Sequence, residues 1–257
     1  MLSSCSAYQD VLKEDDIAAK YAFADSLYKI GKYKKASRLW EQITPLYRGR
    51  PQAERVSFLD ADTYYQLGDY YTSGYLFDRF VSSFPNSTKK EEAAFKSAKS
   101  YFERSPRYNL DQGDTYVATG KLQEFISSYP ESEKIPEVNE MATVLRTKIE
   151  RKAYEIAKGY NKIGASRGTF PNAIKAFDNF LQDYPGSKYR EDALYWRFNS
   201  AYQLAVGSIE VRKKQRLEAA KEAYETLDKY FPQGKYSEEA TKQIKEVNSL
   251  LEESSAI

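Results

Sequence analysis

Four times along the chain an aromatic-proline pair shuts off a helical pattern, and this recurrence limits the possible folds more than any other feature. The stretches read "FVSSFPNS" at 80–87, "FISSYPES" at 125–132, "FLQDYPGS" at 180–187 and, more loosely, "LDKYFPQG" at 227–234. Proline has no N–H, fixes φ and drives the preceding residue out of the α region, so each stretch ends a helix. Counting back 17 residues from Pro85 reaches Gly68, and Tyr70, Ser73, Phe77 and Phe80 in between fall on one helical face. The interval before Pro130 opens at Gly113 and holds Ala118, Leu122 and Phe125. The interval before Pro185 opens at Gly168 and holds Phe170, Ala173, Phe177 and Phe180. Before Pro232 the glycine is replaced by Gln215, yet Leu217, Ala220, Tyr224 and Leu227 keep the stripe. An earlier unit has Gly31, Tyr33, Ala36, Trp40 and Ile43 in the same frame.

Each unit reads as a helix, a turn at glycine and a second helix with a small residue where its partner crosses closely. No such pair buries its apolar face alone, so neighbouring pairs must stack. Alanine at the crossing with an aromatic four residues later is the pattern of tetratricopeptide (TPR) repeats. The expected fold is therefore all-α, a TPR-like helical solenoid of five helix-turn-helix repeats with a C-terminal capping helix. Ala36, Ala173 and Ala220 are expected at buried crossings. Gly31 to Gly68 spans 37 residues and the prolines are 45, 55 and 47 apart, beyond the usual period. Insertions such as "SPRYNLDQ" and "GASRGTFP" are thus expected between paired helices. Residues 134–164 form the longest helical stretch, with a stripe of Val138, Met141, Leu145, Ile149, Ala153 and Ile156. The last segment places Ala240, Ile244, Val247 and Leu251 on one face, as a capping helix requires. Three regions follow: a lipobox remnant and tether at 1–16, an N-terminal three-repeat half at 17–133, and a C-terminal half at 134–257. The last of these holds two repeats, the long connecting helix and the capping helix.

Composition narrows the chemistry. The 257 residues include no histidine and one cysteine, which excludes His-based nucleophile activation, His metal sites, a CxxC zinc site and an internal disulfide. Neither a catalytic constellation nor a glycine-rich phosphate loop is present, so no enzyme activity, metal or cofactor is expected. The 39 basic and 37 acidic residues nearly cancel, which argues against a nucleic-acid partner.

"MLSSC" at the amino terminus resembles the lipobox that precedes the lipidated cysteine of bacterial lipoproteins, here Cys5. The charged and apolar regions of a signal peptide are absent from these residues, and no run approaches the roughly 20 apolar residues that span a bilayer. A membrane association is therefore expected through a lipid anchor, with Ser6 after the cysteine favouring outer-membrane residence. After this come "YAFADSLYKIGKYKKASRLWEQI", "FLDADTYYQLGDYYTSGYLFDRFVSSFPNS", "LDQGDTYVATGKLQEFISSYPES", "LRTKIERKAYEIAKGYNKIG" and "FLQDYPGSKYREDALYWRFNSAY". This order of irregular units resembles the BamD family, the TPR lipoproteins of the machinery that assembles β-barrels in the bacterial outer membrane. The insertion "GASRGTF" and the tail "GSIEVRKKQR" are longer than the family pattern.

The resemblance implies a non-enzymatic scaffold on the periplasmic face of the outer membrane. Its partners would be a BamA-like insertase, other assembly lipoproteins and unfolded barrel clients. Family members dock on the insertase's periplasmic domains mainly through the C-terminal half, and the basic cluster Arg212, Lys213, Lys214 and Arg216 is the candidate docking surface here, a solvated linker being the other reading of the same charges. Clients' targeting strands are received in the N-terminal half. Superposing Gly31 on Gly68 aligns Tyr21 with Phe58, Asp25 with Asp62 and Tyr28 with Tyr65, and the third unit continues with Phe95, Lys99 and Phe102. These aromatic and polar rows form the candidate groove for an extended strand. Filling between helices is the other reading of the same rings. Another periplasmic TPR adaptor of the cell envelope or division machinery, and an α-helical glycan-binding lipoprotein, stay open as alternative functions.

Overall fold

A computed structural model describes the backbone of residues 3–255 and the side chains of 7–253. Among the described residues all regular elements are helical. Five pairs follow one another: α2 (Ile17–Lys29) with α3 (Tyr33–Ile43), α4 (Ala53–Gln66) with α5 (Tyr70–Ser83), and α6 (Lys90–Arg104) with α7 (Gly113–Ser128). Then come α8 (Ile135–Lys162) with α10 (Phe170–Asp183), separated by the short α9 (Gly164–Arg167), and α11 (Arg190–Val206) with α12 (Glu210–Tyr230). The helix α1 (Ser3–Lys13) precedes them and α13 (Ser237–Ser255) closes the chain. The architecture is TPR-like, and the alanines at the crossings, Ala36, Ala173 and Ala220, are fully buried. So are the aromatics four residues on, Trp40 and Phe177.

The aromatic-proline stops have one geometry. The residues before the prolines, Phe84, Tyr129, Tyr184 and Phe231, take φ of −126°, −136°, −130° and −138°, outside the α region, as a following proline demands. Phe84, Tyr129 and Tyr184 fold their rings back onto Phe80, Phe125 and Phe180 at 5.1, 5.1 and 5.3 Å between centroids. The serine after each stop then joins the two helices of its own repeat. Ser87, Ser132 and Ser187 donate to Glu54, Glu91 and Glu150 at 2.6, 2.6 and 2.7 Å. The same hydroxyl oxygens accept from the backbone N–H two residues on. In the fifth repeat the Glu191 carboxylate occupies the space a side chain at Gly234 would need and accepts from the Lys235 N–H at 2.6 Å. The recurring stop therefore ends a helix, packs its aromatic and supplies a donor to the first helix of the pair.

The chain divides into two compact units, residues 1–146 and 147–257, so the boundary lies inside α8 and not ahead of it at 133. In the first unit Val138, Met141 and Leu145 pack with α6 and α7. In the second, Tyr154 and Ala157 pack with Ala173, Phe177 and Phe180 of α10. The buried positions step by five from Leu145 to Glu150, so the stripe does not run on to Ile156, which is 49% exposed.

Two further expectations are corrected. Gly31, Gly68 and Gly168 take φ of 72°, 73° and 67° and end the helix before them. Gly113 instead begins α7 after the loop 105–112, and Gln215 lies within α12. At Gly31 and Gly68 the next N–H bonds five residues back, Lys32 to Leu27 and Asp69 to Tyr64, the Schellman closure that only glycine enters without strain. Of the expected tether, the described residues 3–13 form the helix α1, and Tyr8, 4% exposed, packs in the core of the first repeat.

Candidate functional site

The first helices of the first unit are joined by a polar ladder that contains most of the groove residues read from the sequence. Asp25 on α2 accepts from Arg55 of α4 at 2.8 Å and pairs with Lys29 at 2.6 Å. Burial raises the Asp25 pKa and the two cations outweigh it, leaving the carboxyl below its usual range. Arg55 Nε also donates to the Tyr21 hydroxyl at 2.9 Å. One turn on, the Tyr28 hydroxyl donates to Asp62 of α4, and burial with the Asp62 charge holds that phenol well above its ordinary pKa.

Asp62 is 1% exposed, and its second oxygen accepts from Lys96 of α6 at 2.6 Å. Burial opposes the Lys96 charge, but hydrogen bonds to Asp62 and Glu92 more than reverse this and raise its pKa. Lys99 continues the ladder to Glu137 of α8 at 2.7 Å.

The aromatic row is half-buried and packs inward. Phe58 meets Phe77 and Phe80 edge-on at 5.6 and 5.4 Å, Tyr65 meets Tyr70 at 5.7 Å, and Phe95, 8% exposed, meets Phe125 at 5.8 Å. Tyr21 packs on Trp40 and Tyr47, and Phe102 lies half-buried against the α6–α7–α8 cluster. Phe58 keeps an outer face. Lys89 and Lys96 stand over its ring at 5.4 and 5.3 Å, and with Tyr28, Arg55 and Glu92 it lines a pocket of about 530 Å³.

The structure thus brings Tyr28, Phe58 and Asp62 into one site. It links Tyr21 and Asp25 to that site through Arg55, and places Phe95 and Lys99 one helix further along. Arg55, Lys89 and Lys96, which tie the site together, were missed in the sequence. Superposing the repeats could not reveal them, because the positions matching Arg55 in its neighbours are Ala18 and Glu92. The pocket's cations are specific to one place in the stack.

In the second unit the basic cluster opens α12. Lys213 pairs with Glu210 at 3.2 Å within its own turn, and Arg216 donates at 2.6 Å to Ser208, which lies ahead of the helix. Arg212 and Lys214 are exposed, beside Ile209 and Val211, which are 70% and 93% exposed. Cys5 falls in α1, and its side chain lies outside the described residues. Among the described residues no three His, Cys, Asp or Glu side chains are grouped to hold a metal, and no helix is long and apolar enough to cross a membrane.

Among solved structures, the chain is similar to the TPR2AB domain of yeast Sti1 in complex with pHSP90, at 15% identity, covering 90% of this chain and 98% of that one with a TM-score of 0.40. It is also similar to a kinesin light chain of Podosopora anserina with nearly identical TPR-like repeats, at 14% identity, 91% and 95% coverage and a TM-score of 0.33. Similarities this distant carry no functional argument. No curated protein matched the sequence. The model of one family, YfiO, outer membrane lipoprotein, matches residues 13–168 and 165–255. With nearly its whole length accounted for, this chain belongs to the YfiO (BamD) family of outer membrane lipoproteins.

Proposed function

We propose that the chain is a non-enzymatic scaffold of the β-barrel assembly machinery, held on the periplasmic face of the outer membrane by a lipid on Cys5. In this reading residues 165–257 dock on a BamA-like insertase, with exposed Arg212 and Lys214 beside Ile209 and Val211 on the docking face. The first unit receives the carboxy-terminal targeting strand of an unfolded client. The observation that carries the client assignment is the pocket at Phe58, where an open aromatic face, two overlying ammonium groups and the Arg55 guanidinium meet in about 530 Å³.

An aromatic side chain of an extended strand would stack in such a pocket. Its carboxylate would compete for cations whose present partners are side chains of this chain. Asp25 and Asp62 are already committed to the ladder, so they hold the three helices in register and leave recognition to the ring and the rim cations.

Arg55 and Lys89 have side chains 56% and 55% exposed, so their truncation spares the core. We expect Arg55→Ala with Lys89→Ala to weaken binding of a barrel protein's carboxy-terminal peptide by about fivefold or more, on the order of 1 kcal/mol. The melting temperature should fall only slightly, because both cations are more than half exposed and Asp25 keeps Lys29 as a partner when Arg55 is removed. Unchanged peptide affinity, measured by fluorescence anisotropy, would remove the pocket from client recognition.

A further inference from the structure

A second cavity, of about 600 Å³, lies in the first unit, formed by α1, the turn from α2 into α3 and the end of α4. Tyr8, Tyr33 and Leu67 give it apolar walls, and Lys32, Lys34, Lys35 and Arg38 surround them. No carboxylate lines it. None of these four cations has an ion-pair partner among the described residues, in contrast to Lys29, Lys96 and Lys99 of the ladder. Lys35 instead stands over the Tyr8 ring, 5.0 Å from its centroid.

Four uncompensated charges around one cavity repel each other, and the local backbone adds to the imbalance. The helix α3 starts here with no acid in its first turn and with Lys32 at the N-cap, which has no acceptor for the free N–H groups. In the next repeat the equivalent residue is Asp69, which accepts from the Thr72 N–H at 3.1 Å. The helix start is the positive end of the macrodipole, so lysines at this point work against the fold. An anion in the cavity would satisfy the exposed N–H groups and the four cations together.

Membership of a family of outer membrane lipoproteins brings a bilayer within reach of this cavity. We propose that this cavity binds the phosphate headgroup of an anionic phospholipid, with the glycerol end of the lipid along Tyr8, Tyr33 and Leu67. This edge of the first unit then rests on the bilayer. The inference rests on the membrane location proposed above but requires no lipid on Cys5, so its test is made without one.

The full chain, produced unacylated, is mixed with vesicles of phosphatidylglycerol in phosphatidylethanolamine or with vesicles of phosphatidylcholine, and co-flotation is measured. Binding is expected to the anionic vesicles only. Lys32→Asp is the informative variant, because it restores the cap found in the next repeat while reversing a cavity charge. It should melt at a higher temperature than the parent and yet lose about tenfold or more in vesicle binding, at roughly fivefold per charge. Lys242→Glu with Lys245→Glu, on α13, changes the net charge by twice as much at residues that do not line the cavity and should leave binding within about twofold. Equal loss from the α13 variant would reduce the effect to net charge and overturn the site, as would full binding by Lys32→Asp. Inorganic phosphate that protects the chain against heat when vesicles do not bind would overturn the lipid assignment in favour of a soluble anion. Should Cys5 prove unlipidated in cells, the vesicle result would stand unaffected.

Discussion

Asp60 illustrates how one residue can oppose the fold it belongs to. It is 5% exposed, accepts from Thr44 Oγ1 at 3.0 Å through one oxygen, and has no hydrogen-bond partner for the other among the described residues. Burial, aided by the nearby Glu41 charge, pushes its pKa up to about 7 from 3.8, and the Thr44 hydrogen bond offsets only part of this. A carboxyl raised in the folded state binds its proton more tightly there than in the unfolded chain. The contribution of Asp60 to stability is therefore most favourable below about pH 4, declines between about pH 4 and 7, and is flat above. Asp60→Asn keeps an acceptor for Thr44 and removes the charge. It should stabilise the protein at pH 8 by up to about 4 kcal/mol, some three pKa units, and have little effect at pH 4. Thermal melts across that range check this, and equal gains at both ends would mean that the charge is not the cause.

At the scale of elements the small residues decide how closely helices pair. Ala173 is fully buried on α10 against Tyr154 and Ala157 of α8. Ala173→Leu adds three carbons where the helices touch, and overpacking of this kind costs about 1–3 kcal/mol. A fall in melting temperature of roughly 2–4 °C per kcal/mol is expected, and an unchanged melt would show that the crossing has room. The alanine stripes and the four stops were legible in the sequence because they follow from helix periodicity and the chemistry of proline. The slip of face along α8 was not, since its amino-terminal part packs on α6 and α7 and its carboxy-terminal part on α10. Periodicity in one helix cannot announce a change of partner.

For the whole molecule the net charge of +2 conceals local excesses at the Lys32 cavity and at the start of α12. The α12 excess is smaller than its sequence implies, because Glu210 pairs with Lys213, while Arg216 is held by the neutral Ser208 hydroxyl and keeps its charge. Arg212→Glu with Lys214→Glu should therefore slow association with the insertase's periplasmic domains by about tenfold at low salt, and should weaken its salt dependence. Stopped-flow or surface-plasmon measurements of the association rate, made at several salt concentrations, check it. Rates equal to those of the parent chain would take α12 out of the docking face.

The sequence by itself determined where the four stops end helices, the glycine turns at Gly31, Gly68 and Gly168, which small residues meet at crossings and which family the order of units resembles. Each of these depends on interactions within a few residues or on a pattern that recurs. Tertiary structure decided what occurs once. It set the partners of Asp25 and Asp62, the cations over Phe58, the unbalanced charge around Lys32 and the strained carboxyl of Asp60. The glutamates that receive Ser87, Ser132 and Ser187 stand 33, 41 and 37 residues away, with no fixed spacing that a single sequence could reveal. Such pairings depend on the distance between side chains after the helices have stacked, and insertions of different length between the helices conceal that distance in the linear chain.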